Sequence, residues 1–171
     1  MDQNELLTML NKKGIAYQYF EHPVVTTSMQ VAVHMEDAPG VSGKNLFLRD
    51  KKGRRFFLLM TLGEKRVNLK AWGKQEGLGK LSFANAQELA EYLEVVRGAV
   101  GPLALVNDAQ LKIEVFIDNS LWNRGVLRCH PLVNTASLVL TTDAMRLFFA
   151  VTGHEVKLVD VPAIGASSKL L

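Results

Sequence analysis

This 171-residue chain contains one cysteine, Cys129, and therefore cannot form an internal disulfide bond. It has no apolar run near the roughly 20 residues that a membrane-spanning helix needs. Its first five residues are polar or acidic after the initial methionine, without the basic and then apolar pattern of a secretory signal. The length suits one domain with a sizeable core. We therefore expect a single-domain, cytoplasmic protein that does not associate with membranes.

The signatures of several enzyme classes are also missing. The four histidines are scattered along the chain, and none lies in an HExxH motif or beside a pair of cysteines. There is no phosphate-binding P-loop, no GxGxxG dinucleotide motif and no GxSxG nucleophile motif. These absences predict a protein that uses neither a metal ion nor an organic cofactor.

Cys129 and His130 are adjacent in the sequence, and this spacing is unsuitable for a catalytic pair on a strand. On a strand, adjacent side chains point to opposite faces of the sheet, so these two cannot act on each other. A cysteine in apolar surroundings is more often a small buried residue than a nucleophile. We therefore expect Cys129 to be buried.

Positive charge is concentrated in one part of the chain. Residues 44–80 contain 11 of the 20 lysines and arginines but only three of the 17 acidic residues. Such segregation favours a surface that binds a polyanion such as nucleic acid. The alternative is that the lysines and arginines within residues 51–55 only keep the tip of a hairpin soluble, and the sequence leaves both interpretations open.

Hydrophobic periodicity and turn signals predict an α+β architecture. Two apolar runs around a charged, glycine-containing turn predict a β-hairpin over residues 44–61. A capping box at Asn85 and Glu88 predicts the start of a helix. We expect one domain over residues 1–162, with a mixed, mostly antiparallel sheet flanked by helices, and a loose tail over 163–171. The other expected helices are 5–13 (capped by Asn4), 28–34, 69–75 and 142–152, and the other expected strands are 15–19, 103–106, 113–118, 127–130, 136–140 and 156–160.

Lys44 and Asn45 stand at the start of the first hairpin strand. A lysine and an asparagine side by side provide a cation and an amide that can both donate and accept hydrogen bonds, which suits a phosphate-bearing or hydroxyl-rich ligand. Neither residue is needed to begin a strand. The pair therefore indicates function.

Three other segments combine hydrogen-bonding groups with tight turns. His130 to Thr135 reads His-Pro-Leu-Val-Asn-Thr and is either a functional corner or a turn that Asn134 stabilises. The loop from Gly98 to Pro102, which includes Gly101, is either a bend or a source of backbone N–H groups for an anion or carbonyl oxygen. The Asn107-Asp108 pair is likewise either a turn-forming pair or part of a functional site.

Read in order, these segments resemble the YbaK/prolyl-tRNA-synthetase-associated domain family of aminoacyl-tRNA editing domains. The resemblance rests on His22-Pro23, the run from Gly43 to Leu48, Gly98-x-x-x-Pro102, Asn107-Asp108 and the run from His130 to Thr135. It covers residues 4 to 160, and within the family it is strongest to freestanding, PrdX-type proteins that deacylate alanyl-tRNA(Pro). No synthetase catalytic domain accompanies it in this sequence, which fits a factor that acts in trans.

The resemblance implies hydrolysis of the ester between a wrong amino acid and the terminal adenosine of tRNA(Pro). It implies that Lys44 engages the terminal nucleotide, that Asn45 holds the aminoacyl-ribose and that His130 shapes the far wall. The loop with Gly98, Gly101 and Pro102 would supply backbone contacts. Further substrate contacts are expected from Asn107, Asp108, Asn134 and Thr135, and Met29, Val31 and Leu46 are expected as pocket walls or ordinary core.

The residues themselves are compatible with this chemistry. An aminoacyl ester is already activated, so a positioned water and fixed hydrogen-bond donors suffice, which explains the absence of a catalytic triad. A synthetase pocket built for proline excludes smaller alanine poorly, because a missing methylene is worth only ~1–3 kcal/mol. A second, smaller pocket would correct the error.

The sequence leaves the substrate and the partners open. Cys-, Ser- or Thr-charged tRNA fits the same chemistry, and a non-catalytic tRNA- or synthetase-binding module or a sensor of charged tRNA are alternatives from other classes. The expected partners are aminoacyl-tRNA and, transiently, prolyl-tRNA synthetase or an elongation factor.

Overall fold

The computed structural model describes residues 1–165, and the eight strands in that range join into one sheet. The strands are β1 Gln18–Glu21, β2 Val41–Asp50, β3 Phe56–Leu62, β4 Leu81–Phe83, β5 Ile113–Asp118, β6 Val126–Cys129, β7 Ala136–Thr141 and β8 Val156–Val159. The α-helices are α1 Gln3–Lys12, α2 Ser28–His34, α3 Leu69–Gln75, α4 Ala86–Leu93, α5 Asn119–Trp122 and α6 Thr142–Thr152. Two short 3₁₀ helices cover Arg97–Ala99 and Pro102–Asn107.

The sheet is mixed and mostly antiparallel. Its strand order is β1-β7-β6-β2-β3-β5-β8, with β4 beside β2. Strands β1 and β7, β7 and β6, β2 and β3, and β2 and β4 run antiparallel, whereas β2 and β6, β3 and β5, and β5 and β8 run parallel. The predicted α+β class and the predicted kind of sheet are confirmed.

Strand β2 carries the feature that positions the site. On one edge it pairs with β3 without interruption from Gly43 to Arg49. Its remaining partners are β6, which it contacts only at Val41 and Ser42, and β4, which it contacts only from Leu48 onward. Residues 43–47 of β2 therefore have a strand partner on one edge only. The other edge is free for side-chain and ligand contacts.

The centre of the sheet is covered on both faces. Along β3, Phe56, Leu58 and Met60 belong to the larger buried cluster, while Phe57 and Leu59 belong to a second cluster around Trp72. This alternation follows from the two-residue period of a strand. A strand that is buried on both faces reads as a continuous apolar run, which is the pattern of residues 56–60.

Most predicted elements are present with small shifts at their ends. Helix α3 covers the predicted residues, and α4 begins with the predicted capping box at Asn85. The first helix is capped by Asp2 rather than Asn4, because the Asp2 carboxylate accepts the N–H of Glu5. The strand predicted over 103–106 is wrong: Pro102 starts a 3₁₀ helix there, consistent with the preference of proline for the first helical turn.

The C-terminal segment begins with backbone contacts. Ala163 forms an isolated bridge with Val67, and the N–H of Ile164 donates to the carbonyl of Arg66 at 2.7 Å. The rest of the predicted loose tail, residues 166–171, lies outside the described residues. Within residues 1–165, no helix has the length and apolar character needed to cross a membrane.

A buried ion pair ties β5 to the loop after β3. Lys65 Nζ lies 2.5 Å from Asp118 Oδ2, and Thr61 Oγ1 donates to the same oxygen at 2.8 Å. The Asp118 side chain is only 1% exposed. Burial raises the pKa of Asp118, but the hydrogen bonds from Lys65 and Thr61 outweigh it and hold the pKa below its usual value.

A Lys65→Met variant would leave the Asp118 carboxylate buried without its cation. We expect the free energy of unfolding at pH 7 to fall by roughly 3 kcal/mol. In this variant only the hydrogen bonds from Thr61 and Ser120 oppose the effect of burial, so the pKa of Asp118 rises from its native value and protonation costs the fold less than in the native protein. The loss of unfolding free energy relative to the native protein should therefore become smaller as the pH falls from 7 toward 4. Urea unfolding of both proteins across this pH range measures this difference.

The exposed hairpin-tip residue Lys51 provides the control, because Lys51→Met removes the same charge from a solvated position. Its unfolding free energy should stay within about 0.5 kcal/mol of the native value. If the loss of unfolding free energy in Lys65→Met does not change with pH, the assignment of the ion pair to Asp118 is contradicted.

Candidate active site

A pocket of about 320 Å³ opens beside the free edge of β2. Its walls come from the start of α2, residues 42–46 of β2, the loop around Gly98, and the end of β6 with the residue that follows it. Strands β2 and β6 pair at Ser42 and Arg128 but not beyond. The pocket therefore lies where the pairing of β2 with β6 ends.

The pocket collects many of the residues predicted for the site. Lys44, Asn45, Leu46, Val31, Gly98 and His130 all line it. Gly101 lies just behind: a Cβ atom built on it would be 3.6 Å from Asn45 Nδ2 and 3.9 Å from the backbone nitrogen of His130. These residues come from four separate parts of the chain, and the fold brings them to one place.

Other predicted site residues lie elsewhere. Asn107 Nδ2 donates to the carbonyl of Leu93, and its Oδ1 accepts from the N-terminal amine. Asp108 is buried, where it accepts the N–H of Ile113 and contacts His154 at 3.1 Å. Both residues hold the 3₁₀ helix against its neighbours. The structure does not bring them into the pocket.

Met29, Pro102, Asn134 and Thr135 also have other surroundings. Met29 is 77% exposed and lines a neighbouring cavity, and Pro102 is buried at the start of its 3₁₀ helix. The Asn134 side chain packs beside Gly98, and the backbone carbonyl of Asn134 accepts the N–H of Val25. Thr135 is exposed, and its carbonyl accepts the N–H of His22. Asn134 therefore supports the pocket from behind, and the other three do not line it.

Lys44 extends away from the free edge toward the loop after β3. Its Nζ donates to the carbonyl of Lys65. Burial lowers the pKa of Lys44, and the nearby Glu64 carboxylate opposes that effect. An ammonium has three donors, so the contact with Lys65 leaves two for a ligand.

Asn45 joins β2 to the glycine-containing loop. Its Nδ2 donates to the carbonyl of Val100 at 3.0 Å. Its Oδ1 is buried and has no hydrogen-bond partner among the described residues. The backbone N–H of Gly101 likewise donates to no group in residues 1–165, and that of Val100 to none outside the 3₁₀ helix over Arg97–Ala99. This corner of the site therefore holds an unused donor and an unused acceptor.

His130 presents one ring nitrogen to the pocket. Its Nδ1 donates to the carbonyl of Ala136 at 3.0 Å, which leaves Nε2 as the acceptor of a neutral imidazole. Burial lowers the pKa of His130, the hydrogen bond to Ala136 opposes that effect, and the charge of His22 lowers it further. The imidazole is therefore neutral at neutral pH, with the lone pair of Nε2 as its acceptor.

His22 supports His130 from the side. The two rings meet edge to face, with centroids 6.1 Å apart. His22 Nδ1 donates to the carbonyl of Pro23, and its Nε2 forms a hydrogen bond of 2.9 Å with Ser137 Oγ. Both polar atoms of the His22 ring are used in the fold. His22 therefore has a structural role beside the ring of His130.

The corner after β6 is conformationally strained. Leu132 has a φ of +68°, a region that bulky L-residues rarely adopt. The strained residue lies between His130 and Asn134, two residues from each. Such strain persists only where surrounding contacts hold it, and it clusters at functional sites. The turn interpretation and the functional interpretation of this segment are thus compatible.

Cys129 is not a candidate nucleophile. It is 4% exposed within the main core cluster, and burial raises the pKa of its thiol to about 12. A thiol in that state carries almost no thiolate at neutral pH. The predicted burial of Cys129 is confirmed.

Sequence reasoning missed several lining residues. Ser42, Arg97, Arg128 and Ser137 line the same pocket. Ser42 and Arg97 directly flank predicted segments, so extending those segments by one residue would have found them. Arg128 and Ser137 arrive through strand pairing, which no local pattern reveals. Arg128 donates to the carbonyls of Ala38 and Pro39 and holds the loop before β2.

The basic segment is partly neutralised by the fold. Arg49 pairs with Glu88 at 2.5 Å, and Arg55 pairs with Glu114 through two hydrogen bonds of 2.8 and 3.0 Å. The cations at the hairpin tip that are exposed and form no ion pair within residues 1–165 are Lys51, Lys52 and Arg54. The charge available to a polyanion there is smaller than the sequence alone indicates, and contact with nucleic acid stays a prediction.

A small pocket with a neutral histidine, a buried amide and nearby backbone donors is compatible with the binding of a small activated acyl group. Residues 22–148, more than half of the chain, match the family model described as the aminoacyl-tRNA editing domain. This chain belongs to the aminoacyl-tRNA editing domain family. The predicted resemblance is confirmed, as is the predicted class of enzyme, an aminoacyl-tRNA editing hydrolase.

The similar proteins extend over nearly the whole chain. The prolyl-tRNA editing protein ProX of Acetoanaerobium sticklandii is 32% identical over 157 residues, which cover 91% of this chain and 95% of the relative. Prolyl-tRNA synthetase associated domain-containing protein 1 of Xenopus laevis is 34% identical over 157 residues, which cover 90% and 93%. A solved structure described as a candidate trans-editing enzyme for prolyl tRNA synthetase has a TM-score of 0.67 at 21% identity, covering 93% of this chain and 95% of that one, and supports the fold alone.

The two loop glycines, Gly98 and Gly101, differ in the space around them, so replacing each by alanine tests the pocket geometry. A Cβ atom on Gly98 would lie 3.0 Å from Asn134 Nδ2 and 3.1 Å from the carbonyl oxygen of Val25, whereas one on Gly101 meets nothing closer than 3.6 Å. Gly98→Ala should therefore displace the loop and lower hydrolysis of mischarged tRNA by about 10- to 100-fold. Gly101→Ala should lower it less. Equal losses in the two variants would contradict this geometry.

Proposed function

We propose that this protein is a trans-editing deacylase that hydrolyses the ester of mischarged tRNA(Pro), with Ala-tRNA(Pro) as its preferred substrate. One observation carries the proposal: the neutral His130, the Asn45 amide and Val100 line one small pocket, with Gly101 directly behind them. The names of the similar proteins, which refer to prolyl-tRNA editing and to prolyl-tRNA synthetase, support tRNA(Pro).

The reaction needs a positioned water and stabilisation of the oxyanion that forms. His130 Nε2 accepts a hydrogen bond from the attacking water, either directly or through a ribose hydroxyl, while Nδ1 stays bonded to Ala136. The N–H groups of Val100 and Gly101 are the nearby donors for the developing oxyanion. No protein nucleophile is required, because the ester is already activated.

Lys44 is proposed to hold the terminal nucleotide. Two of its three donors remain after the bond to Lys65, and they can meet the terminal phosphate while the ester enters the pocket. Arg97, exposed at the rim, adds positive charge on the same side. The exposed cations of the hairpin tip would act at longer range, as a steering field that salt weakens.

Selection against proline is proposed to be steric. Val31 and Leu46 form apolar walls of a pocket of about 320 Å³ that also has to admit part of the ribose. A pocket of this kind admits small side chains and rejects larger ones, the logic of a second sieve after the synthetase. Alanine, serine and cysteine differ little in size, so Cys- and Ser-charged tRNA are the nearest competing substrates. A cytoplasmic site of action, where aminoacyl-tRNA is used, and transient contact with prolyl-tRNA synthetase or an elongation factor belong to the same proposal.

Deacylation of a panel of charged tRNAs tests the proposal. Purified protein is mixed with tRNA(Pro) carrying alanine, cysteine, serine, threonine or proline, and the remaining ester is followed over time. We expect Ala-tRNA(Pro) to be hydrolysed fastest and Pro-tRNA(Pro) at the rate of the buffer control. Faster hydrolysis of the cysteinyl or seryl ester would change the preferred substrate, and no hydrolysis of any ester would favour a non-catalytic binding module.

A matched pair of lysine variants assigns the activity to this pocket. Lys44→Ala removes a lining residue, and we expect it to reduce hydrolysis by about 100-fold or more, since positioning is lost together with charge. Lys51→Ala removes an equal charge from the exposed hairpin tip and should reduce it by less than about 3-fold at moderate salt. Similar effects of the two variants would mean that Lys44 acts only through charge.

A further inference from the structure

Glu64 is an acidic residue in the most basic part of the chain. Residues 44–80 contain three acids, and the fold uses two of them: Asp50 accepts backbone N–H groups at the hairpin turn, and Glu76 accepts a hydrogen bond from Gln75. Glu64 is exposed and forms no ion pair in the described part of the chain. A carboxylate here repels the phosphates that the surrounding cations attract. Its position therefore indicates a ligand group that donates hydrogen bonds.

Glu64 lines a cavity of about 620 Å³ that adjoins the proposed active site. The cavity and the pocket share three lining residues, which are Thr27, Ser42 and Arg128. Ser42 and Lys44 are two residues apart on β2 and therefore point to the same face of the strand. A ligand that places a phosphate on Lys44 can thus extend from the pocket into this cavity.

The cavity combines apolar side chains with two unused polar groups. Met29, Ala32 and Val41 supply the apolar part of its lining. Ser42 Oγ is buried and has no hydrogen-bond partner among the described residues, and the ionised Glu64 carboxylate can only accept. A flat heteroaromatic ring with an amino group next to a ring nitrogen matches these groups. Its faces suit apolar side chains, methionine included, its amino group donates to a carboxylate, and its ring nitrogen accepts from a hydroxyl.

We propose that this cavity binds the adenine of the terminal nucleotide and that Glu64 accepts a hydrogen bond from the exocyclic amino group of that base. This inference rests on the proposed function, which places the acyl group and part of the ribose in the adjoining pocket and the terminal phosphate on Lys44. Adenine carries an amino group where guanine carries a carbonyl oxygen. A carboxylate attracts the first group and repels the second, so Glu64 would select the base as well as bind it.

The alternative role for Glu64 is purely electrostatic. Burial lowers the pKa of Lys44, and the charge of Glu64 opposes that effect. A role limited to Lys44 would change the hydrolysis of every substrate by the same factor, since each terminal nucleotide carries the same phosphate. The dependence of the rate on the terminal base therefore separates the two roles.

Three alanyl esters of tRNA(Pro) test the inference with the native protein. Their terminal nucleotide is adenosine, purine riboside or inosine, so position 6 of the base carries an amino group, a hydrogen atom or a carbonyl oxygen. We expect kcat/KM to be about 10-fold lower for the purine ester than for the adenosine ester, because a hydrogen bond to a charged group is lost. The inosine ester should be lower by a further factor of about 3 or more, because its carbonyl oxygen faces the carboxylate.

Two variants of Glu64 assign the selectivity to this side chain. Glu64→Ala should lower kcat/KM for the adenosine ester by about 10-fold and change that for the purine ester by less than about 2-fold. Glu64→Gln carries an amide that can also donate to a carbonyl oxygen, so the ratio between the adenosine and inosine esters should fall by about 10-fold. Glu155→Ala is the control, because Glu155 is exposed next to β8 at the far edge of the sheet, and it should leave all the ratios unchanged.

The possible outcomes distinguish the inference from the function beneath it. Equal kcat/KM for the three esters in the native protein would overturn base recognition and leave ester hydrolysis standing. A loss of the same size for the adenosine and purine esters in Glu64→Ala would also overturn it, since Glu64 would then act only through Lys44. No hydrolysis of the adenosine ester by the native protein would overturn the proposed function and the inference with it.

Discussion

The point where the pairing of two parallel strands, β2 and β6, ends is the constraint on which the site depends. They share a ladder only at residues 41–42 and 127–128, after which β6 ends at Cys129 while β2 continues to Asp50. A strand edge without a partner exposes unpaired backbone groups, which proteins normally cover. Here the glycine-containing loop and the start of α2 enclose the open edge and turn it into a pocket.

Asn45 shows how this arrangement is held together. Its amide donates to the carbonyl of Val100 and so fixes the loop at a hydrogen-bond distance from β2. The close approach of Gly98 to Asn134 fixes the loop on its other side, next to the strained corner at Leu132. The loop is thus clamped between β2 and the corner after β6. A rigid loop of this kind can present N–H groups to a reacting carbonyl without reorganisation during the reaction.

Much of this fold could be predicted from sequence, and the exceptions have physical causes. The capping box at Asn85 and the continuous apolar run of β3 are local signals, and both elements appear where expected. Residues 103–106 are apolar and short, so their periodicity cannot distinguish a strand from a buried helix, and Pro102 decided the outcome. Asn107 and Asp108 carried the right chemistry for a site but serve the packing of that helix.

The site itself was predictable only in part. Lys44, Asn45 and His130 stood out as polar residues at predicted strand ends, although β2 begins earlier, at Val41, and so places Lys44 and Asn45 within the strand. Arg128 and Ser137 enter the pocket through the pairing of β6 with β2 and β7, a long-range property that sequence patterns do not contain. The unpaired Ser42 hydroxyl is visible only when the surroundings of every buried polar atom are known.

The central claim is that the acyl group of the substrate lies in the space between β2 and β6. An amide-linked analogue of the alanylated acceptor stem, which cannot be hydrolysed, makes this directly measurable by NMR. We predict that the analogue shifts the backbone signals of Val100 and Gly101 and the side-chain amide of Asn45, while an acceptor stem without the alanyl group leaves these three unchanged. Shifts confined to the hairpin tip around Lys51, with the three pocket signals unmoved by the analogue, would contradict the claim.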